Sequence, residues 1–417
     1  PYDCQASRAH AEMLQRTGVL SGEELACLQA GLDAIEQLHR DGRFEIRPED
    51  EDCHTAIERY LTERLGDAGK RIHAGRSRND QVIAALRLYA REVLLDLSSR
   101  TLGRVEDLTS LAEAHREVSV PGYTHTRQAM PSTMGLLFAA AADALLDDLP
   151  WIVTAYDHVD RSPLGSASGY GVPLPLDRPM VAELLGMAGV QANTLAVQND
   201  RGKTELLVLT AAMSPALDLA RLASDLIWFS SEELGFVRLA TAVTTGSSIM
   251  PQKRNPDVLE LVRASAGRLR SRQAEIGAVF GHLSSGYHRD LQLTKEPFLE
   301  GLQGALDVVS VMAPVLETLE VDRSRCRAAF TRAIGATDAM CRKVASGEPM
   351  RSAYKSVASD PESAVEGDPA ELWRERTHLG APGALDVEPI RDTVSQWQSW
   401  VDEREARLRT VWEQLLP

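Results

Sequence analysis

Apolar residues recur at helical spacing through most of the chain, and five long segments carry this pattern. In the first, apolar side chains follow one another three or four positions apart from Val82 to Leu108, and between 81 and about 117 only Gly103 weakens the pattern. A helix of that length spans roughly 50 Å at 1.5 Å per residue. Similar patterns occupy about 135–159, 204–237, 257–282 and 290–319. Because alternating strand patterns are nearly absent, the sequence predicts an all-α, elongated protein built around a five-helix bundle.

Shorter predicted elements flank the bundle on both sides. Residues 1–76 hold short helices, one of which begins after the N-cap candidate Ser21. Beyond about residue 328, helical pieces alternate with turn-rich stretches such as SDPESAVEGDP. The sequence therefore predicts an N-terminal helical domain (1–76), the central long-helix bundle (77–327) and a C-terminal helical domain (328–417). Several bundle helices are apolar on more than one side, which favours packing of the bundle against copies of itself.

Composition narrows the range of functions. Among 417 residues, 45 lysines and arginines face 60 acidic residues, so the net charge of -15 argues against a nucleic acid as a general partner. The five cysteines are scattered without a CxxC pair or a histidine cluster at zinc-ligand spacing, which favours reduced thiols in the cytoplasm and no metal. No uninterrupted apolar run approaches the roughly 18 residues of a membrane span, so no membrane is expected.

Four polar stretches lie at predicted helix junctions, where an α-bundle can gather side chains around a ligand. HAGRSRNDQ, 73–81, offers cap residues, backbone N–H groups and arginines at the start of the longest helix, which suits a carboxylate. PGYTHTRQAMP, 121–131, places a histidine in a proline-bounded turn. SSGYHRDLQLTKE, 284–296, crowds Gln292 and Lys295 onto one helical face. Capped helix starts with solvated side chains explain these three stretches equally well, and SPLGSASGYGVPLPLD, 162–177, reads as a connector.

A fifth stretch, TTGSSIMPQKRNP at 244–256, interrupts two helical segments with glycine, prolines, hydroxyls and cations. These features are typical of a mobile catalytic loop, in which Lys253 and Asn255 can orient or polarise a carboxylate. Glu260 lies on the helix that follows and could pair with a histidine from another element. The stretch lacks the serine elbow of an acyl-transfer hydrolase and the glycine spacing of a phosphate-binding loop.

GSSIMPQKRNP resembles the signature loop of the fumarase/aspartase superfamily. HAGRSRNDQ, GYTH and GYHRDLQ are similar, within that superfamily, to the argininosuccinate lyase family, and the resemblance covers nearly the whole chain up to about residue 360. It implies a three-domain α fold, a homotetramer with a twenty-helix core, and active sites shared between three subunits. It implies no metal or organic cofactor.

The same resemblance implies a reaction, the reversible anti elimination of fumarate from argininosuccinate, which releases arginine in arginine biosynthesis. Ser247 would be the base, Lys253 and Asn255 would hold the developing carboxylate charge, and His125, oriented by Glu260, would protonate the leaving nitrogen. Electrostatic stabilisation is essential because the proton on Cβ is only weakly acidic. By resemblance, the remaining substrate-binding positions are Ser77, Arg78, Asn79, Thr124, Tyr287, Gln292 and Lys295.

Some positions depart from the family pattern and leave alternatives open. The family often has GYTHLQRAQP, where this chain has Thr126, Arg127, Gln128 and Met130 in place of Leu, Gln, Arg and Gln. These changes favour, as one alternative, a lyase that eliminates fumarate from another N-substituted aspartate. A second alternative is a non-catalytic structural protein of the same fold, against which the intact Ser247, His125 and Glu260 argue.

Overall fold

The computed structural model of this protein describes residues 1–415, and helices dominate them, which confirms the predicted all-α class. The α-helices are α1 (Tyr2–Arg16), α2 (Gly22–Arg40), α3 (Cys53–Leu65), α4 (Asp67–Arg71), α5 (Arg78–Ala114), α6 (Met134–Val159), α7 (Arg178–Leu184), α8 (Thr194–Asn199), α9 (Lys203–Phe229), α10 (Asp257–Phe280), α11 (Lys295–Glu317), α12 (Arg323–Ala328), α13 (Ala336–Ala345), α14 (Met350–Ala358) and α15 (Glu388–Leu415). Short 3₁₀ turns occupy Thr241–Val243, Arg289–Thr294, Arg332–Gly335, Pro369–Glu375 and Pro382–Ala384.

The five predicted long helices are present as α5, α6, α9, α10 and α11. The first of them, α5, has 37 residues and packs against both α6 and α11, while α9 packs against α6, α10 and α11. Fully buried side chains such as Leu94, Phe138, Leu209 and Leu302 fill the space between these helices. The third helix was predicted to run to about 237, but it ends at Phe229. There the chain turns back, with Gly235 in a left-handed conformation, before Phe236 enters the core.

A sixth long helix, α15, joins the bundle, although the sequence predicted only helical pieces after residue 328. It has 28 residues and packs along α5 and α6. Its buried residues Val394, Val401, Leu408 and Leu415 recur every seven positions, the spacing of a coiled-coil seam. The division into domains at 76 and 327 stays a prediction.

The strands are short and form four two-stranded pairs among the described residues. Their bounds are β1 (Ser119–Thr124), β2 (Arg127–Thr133), β3 (Arg161–Ser162), β4 (Gly189–Val190), β5 (Val237–Arg238), β6 (Thr245–Gly246), β7 (Arg254–Asn255) and β8 (Glu320–Val321). β1 with β2, β5 with β8 and β6 with β7 are antiparallel, and β3 with β4 is parallel. The stretch 121–131, predicted to be a turn between helices, is instead most of the β1–β2 hairpin.

Two helical segments, Lys203–Phe229 and Arg289–Glu317, are long and apolar enough to cross a membrane when judged by length and composition alone. The expectation concerned uninterrupted apolar runs, whereas each of these helices reaches a high mean hydropathy although a few polar residues interrupt it. About half of each most apolar window is buried inside the bundle, 56% and 50% respectively. Their apolar character therefore agrees with a role as core helices, which pass the same test.

Candidate functional site

The start of α5 is held by a reciprocal cap. Ser77 precedes the helix, and its side chain accepts a hydrogen bond from the backbone N–H of Asn79 at 3.3 Å, while Asp80 accepts from the N–H of Ser77 at 3.0 Å. The second oxygen of Asp80 accepts from the N–H groups of Gly165 and Ala167 at 3.1 and 2.9 Å. Burial raises the pKa of Asp80 to about 6 in spite of these donors. The stretch at 162–177, read as a mere connector, is thus fastened to the helix start.

Arg78 turns back from α5 towards the start of α3. Its guanidinium donates to Thr55 Oγ1 at 2.9 Å, lies 3.6 Å from a carboxylate oxygen of Asp52, and pairs with Glu51. Arg289 pairs with the other oxygen of Glu51 at 2.8 Å. The sequence analysis missed both carboxylates, although the acidic run before α3 was a visible signal.

Tyr287, Gln292 and Lys295 lie together around the 3₁₀ turn that leads into α11. Gln292 donates to the hydroxyl of Tyr287 at 2.8 Å, and Lys295 is the first residue of the helix. Arg201, only 3% exposed, lies beneath this turn: it donates to the carbonyl of Leu291 at 3.0 Å, and its guanidinium carbon lies 5.9 Å from the centre of the Tyr287 ring. Sequence reasoning missed Arg201 because nothing in its local pattern separates it from an ordinary helix-start arginine.

Lys295 brings these two groups of residues into one site. Burial lowers the pKa of Lys295, the nearby Arg201 and Arg78 lower it further, and Asp52 opposes them. Lysine, arginine and two carboxylates therefore share one electrostatic environment, which we call the Arg78–Lys295 cluster. Its members are Glu51, Asp52, Ser77, Arg78, Asn79, Tyr287, Gln292 and Lys295. Such mixed charge suits a ligand that carries both carboxylates and a cation.

Ser247 occupies the tip of a second hairpin, formed by β6 and β7. Its half-buried side-chain oxygen accepts hydrogen bonds from the backbone N–H groups of Met250 at 3.1 Å and Ile249 at 3.4 Å. Hydrogen bonds to the ionised form of a group favour that form, so these donors favour an alkoxide at Ser247. Lys253 is the last residue of the loop before β7, and Asn255 is paired with Thr245 across the hairpin.

Glu260 lies one turn into α10 and faces the same space as Lys253 and Asn255. The three side chains line a cleft of about 820 Å³ between the end of α9 and the start of α10. The Ser247 loop, residues 247–253, therefore ends at Lys253 on the edge of a cleft that contains a carboxylate, a cation and an amide.

Thr124 and His125 lie at the exposed end of the β1–β2 hairpin. His125 and Thr126 form its two-residue turn, and both have left-handed backbone angles, with φ of 52° and 59°. This conformation is unfavourable for a β-branched threonine, and the histidine is exposed at the end of the hairpin. Among residues 1–415, the histidines in ion pairs are His54, His73 and His158, so the expected partnership of His125 with Glu260 is not formed within one chain.

The site residues fall at two ends of the molecule. Arg87 near the start of α5 lies 4.0 Å from Asp200 just before α9, so both helices begin at the end that carries the Arg78–Lys295 cluster. At the other end, the ring of the hairpin residue Tyr123 packs 4.7 Å from that of Trp228, and Ser230 lines the same cleft as Lys253. The 27 residues of α9 span about 40 Å at 1.5 Å each. The Arg78–Lys295 cluster and the Ser247 loop of one chain therefore cannot touch the same small molecule.

In the described part of the chain, no group of three or more histidine, cysteine or acidic side chains is arranged to hold a metal ion.

A protein-family model described as Lyase matches residues 2–270. Solved structures share the fold over nearly the whole chain: an EDDS lyase bound to formate has a TM-score of 0.87 at 24% identity, covering 100% of this chain and 90% of that one. A β-carboxy-cis,cis-muconate cycloisomerase from Acinetobacter calcoaceticus has a TM-score of 0.71 at 16% identity, covering 99% and 94%. The chain therefore belongs to a family of lyases and shares the long-helix fold of these solved structures.

Curated sequences place the chain more closely. The argininosuccinate lyase of Sorangium cellulosum is 44% identical over 93% of this chain and 90% of its own length. That of Thermotoga neapolitana is 43% identical over 86% and 90%, and that of Stenotrophomonas maltophilia 41% over 95% and 92%. The chain belongs to the argininosuccinate lyase family.

Proposed function

We propose that this protein cleaves argininosuccinate to arginine and fumarate, in a reversible elimination carried out by a homotetramer whose sites are shared between subunits. The observation that carries the proposal is Ser247, whose side-chain oxygen accepts two backbone N–H bonds at the tip of a loop that leads into a cleft lined by Lys253 and Asn255. The identity of 41–44% with argininosuccinate lyases supports the substrate. The proposed setting is the cytoplasm, where the five free thiols stay reduced.

The proposed reaction begins with proton abstraction. Ser247, as alkoxide, removes the proton from the Cβ of the succinyl group, and the electron pair spreads into the adjacent carboxylate, which becomes a dianionic aci-carboxylate. Lys253 and Asn255 stabilise this charge by ion pairing and hydrogen bonding. When the C–N bond breaks, the electron pair of that bond goes to the departing guanidino nitrogen. His125 supplies a proton to this nitrogen, so the negative charge that develops there is neutralised as the arginine leaves.

The Arg78–Lys295 cluster binds the rest of the substrate in this scheme. Lys295 and Arg78 attract the α-carboxylate of the arginine portion, while Glu51 and Asp52 attract its α-ammonium, so one cluster recognises both charges of the amino-acid end. Ser77 and Asn79 add the backbone N–H groups at the start of α5.

The distances within one chain support the assembly of sites from several subunits. The cluster and the Ser247 loop lie about 40 Å apart along α9, far more than the length of the substrate. Large apolar side chains also stay on the outside of the bundle, including Trp151 on α6 at 62% exposure and Leu261 on α10 at 65%. Exposed apolar side chains on long helices favour packing against further copies of the chain.

The test is the release of fumarate, followed by ultraviolet absorbance, from purified protein of known oligomeric state. Argininosuccinate, adenylosuccinate, aspartate and malate are offered separately. Rapid release from argininosuccinate alone supports the proposal. Release from a different N-substituted aspartate would replace the substrate, and no release from a folded tetramer would favour the structural role.

A further inference from the structure

The β1–β2 hairpin has an inner face that is fastened to the rest of the chain. Tyr123 and Gln128 are cross-strand partners and share this face. The ring of Tyr123 packs edge-on against Trp228, with 4.7 Å between ring centres. The amide nitrogen of Gln128 donates to the carbonyl of Ala329 at 2.6 Å, and its oxygen accepts from the backbone N–H and the hydroxyl of Thr331 at 3.0 and 2.9 Å. Three hydrogen bonds and an aromatic contact therefore fix which way the hairpin faces.

The outer face is set by the same register. Thr124 and Arg127 are the next cross-strand pair, directly before the turn at His125 and Thr126. Successive side chains in a strand point to opposite sides, so Thr124 and Arg127 lie together on the face opposite Gln128, with their Cβ atoms about 5 Å apart. Both are exposed. Arg127 takes part in none of the ion pairs formed by residues 1–415.

We infer that Arg127 binds a carboxylate of the substrate and acts as a specificity-determining residue of the shared site. The inference rests on the proposed function, in which Thr124 and His125 reach a substrate bound by other subunits. A planar guanidinium beside Thr124 can hold a carboxylate through two parallel hydrogen bonds. Argininosuccinate carries three carboxylates, and this chain has the charged guanidinium of Arg127 where the family pattern has a neutral glutamine.

The alternative is an arginine that remains solvated in the assembly. A solvated arginine needs no fixed backbone. The backbone at Arg127 is fixed on both sides, by the left-handed turn before it and by the three hydrogen bonds of Gln128 after it. The two readings differ in their effect on substrate affinity, which makes them separable.

The experiment compares Arg127→Gln and Arg127→Lys with the wild-type tetramer. Arg409→Gln, an exposed arginine on α15, is the matched control. Loss of a charged hydrogen-bonding pair should raise the KM for argininosuccinate about 10-fold to 100-fold in Arg127→Gln, with kcat nearly unchanged. The KM of Arg127→Lys should lie between those of the wild type and Arg127→Gln, since lysine keeps the positive charge but cannot form two parallel hydrogen bonds.

Product inhibition identifies the carboxylate. Weaker inhibition by fumarate in Arg127→Gln would place Arg127 on the succinyl group, and weaker inhibition by arginine would place it on the arginine carboxylate. Unchanged KM and unchanged inhibition by both products in an active tetramer would overturn the inference alone. A wild-type tetramer that releases no fumarate from argininosuccinate would overturn the proposed function and this inference with it.

Discussion

Ser247 is the residue whose surroundings matter most for the proposed chemistry. A serine hydroxyl in water is far too weak an acid to supply a base at neutral pH. The hydrogen bonds from Met250 and Ile249 are donated to its oxygen by backbone N–H groups, which among single substitutions only proline at these two positions removes. The cation of Lys253 ends the same loop. Activation of Ser247 is therefore a property of the folded tip.

Replacement of Ser247 by alanine should lower kcat about 10²-fold to 10⁴-fold, the usual contribution of a general base, because Ser247 is the group that takes the Cβ proton in the proposed scheme. Binding should persist because the Arg78–Lys295 cluster is untouched. Turnover is measured by fumarate absorbance and binding by calorimetry. The matched control is Ser248→Ala, which removes the adjacent exposed hydroxyl and should keep nearly full activity. Comparable turnover in Ser247→Ala would remove the assignment of the base.

Lys295 predicts how binding depends on pH. Its pKa lies below the ordinary 10.5 because of burial and Arg201, so the free enzyme loses this charge at a lower pH than an exposed lysine would. A bound carboxylate favours the charged form and raises the pKa again, so binding takes up a proton above the pKa of the free enzyme. The KM for argininosuccinate should therefore rise at alkaline pH. In Lys295→Arg, whose side chain stays charged, the rise in KM should shift to a higher pH than the assay covers. The same rise at the same pH in Lys295→Arg would refute the assignment of Lys295 as the titrating group.

At the scale of elements, Asp80 joins the start of α5 to the loop at 162–177. Its two oxygens accept three backbone N–H bonds, from Ser77, Gly165 and Ala167. Ala167 adopts a left-handed conformation, with φ of 52°, which these bonds help to maintain. The position of Arg78 and Asn79 thus depends on a buried carboxylate that itself faces away from the site.

Asp80→Asn should destabilise this junction, because the new amide N–H₂ group is a donor. It would face another donor, either the N–H of Ser77 or those of Gly165 and Ala167. A buried donor without an acceptor costs about 1–3 kcal/mol. The melting temperature should fall by several degrees, and hydrogen exchange at the amides of Gly165 and Ala167 should speed up. Asp96→Asn, on the same helix but in an exposed ion pair with Arg100, is the control and should change little. Unaltered exchange at both loop amides would show that Asp80 does not hold the loop.

The long helices were predictable because their apolar periodicity is strong and uninterrupted over many turns. The hairpin at 119–133 was not, because Pro121 and Pro131 suggested a turn, whereas the structure pairs them across two strands. The helix α15 was also missed, since its buried Val394, Val401 and Leu408 are separated by many charged residues that dilute the pattern. The contacts that decide the position of α15 are made with the distant helices α5 and α6.

The same limit applies to the candidate site. Local sequence marked Arg78, Lys295 and Ser247, because each lies in a polar stretch between helices. It could not show that Glu51 reaches both Arg78 and Arg289 or that Gln128 holds the segment at Ala329, because these partners are at least 27 residues apart. Sequence reasoning therefore found the motifs but not the side chains that position them.

For the whole molecule, the separation of the two groups of site residues determines how defective subunits should combine. If each site takes its Arg78–Lys295 cluster from one subunit and its Ser247 loop from another, a mixed tetramer can contain sites in which both parts are intact. Lys295→Met and Ser247→Ala should each be inactive alone. After subunit exchange at equal amounts, about a quarter of the sites should receive an intact cluster and an intact loop, and activity should return to about that fraction.

A second mixture serves as the control for this experiment. Arg78 and Lys295 belong to one cluster on one chain, so every site in a mixture of Arg78→Met with Lys295→Met receives a damaged cluster. That mixture should stay inactive under the same exchange conditions, with exchange verified by mass spectrometry of differently tagged subunits. Activity regained in both mixtures would point to refolding or residual turnover. Activity regained in neither, with exchange complete, would mean that the cluster and the loop do not serve one shared site.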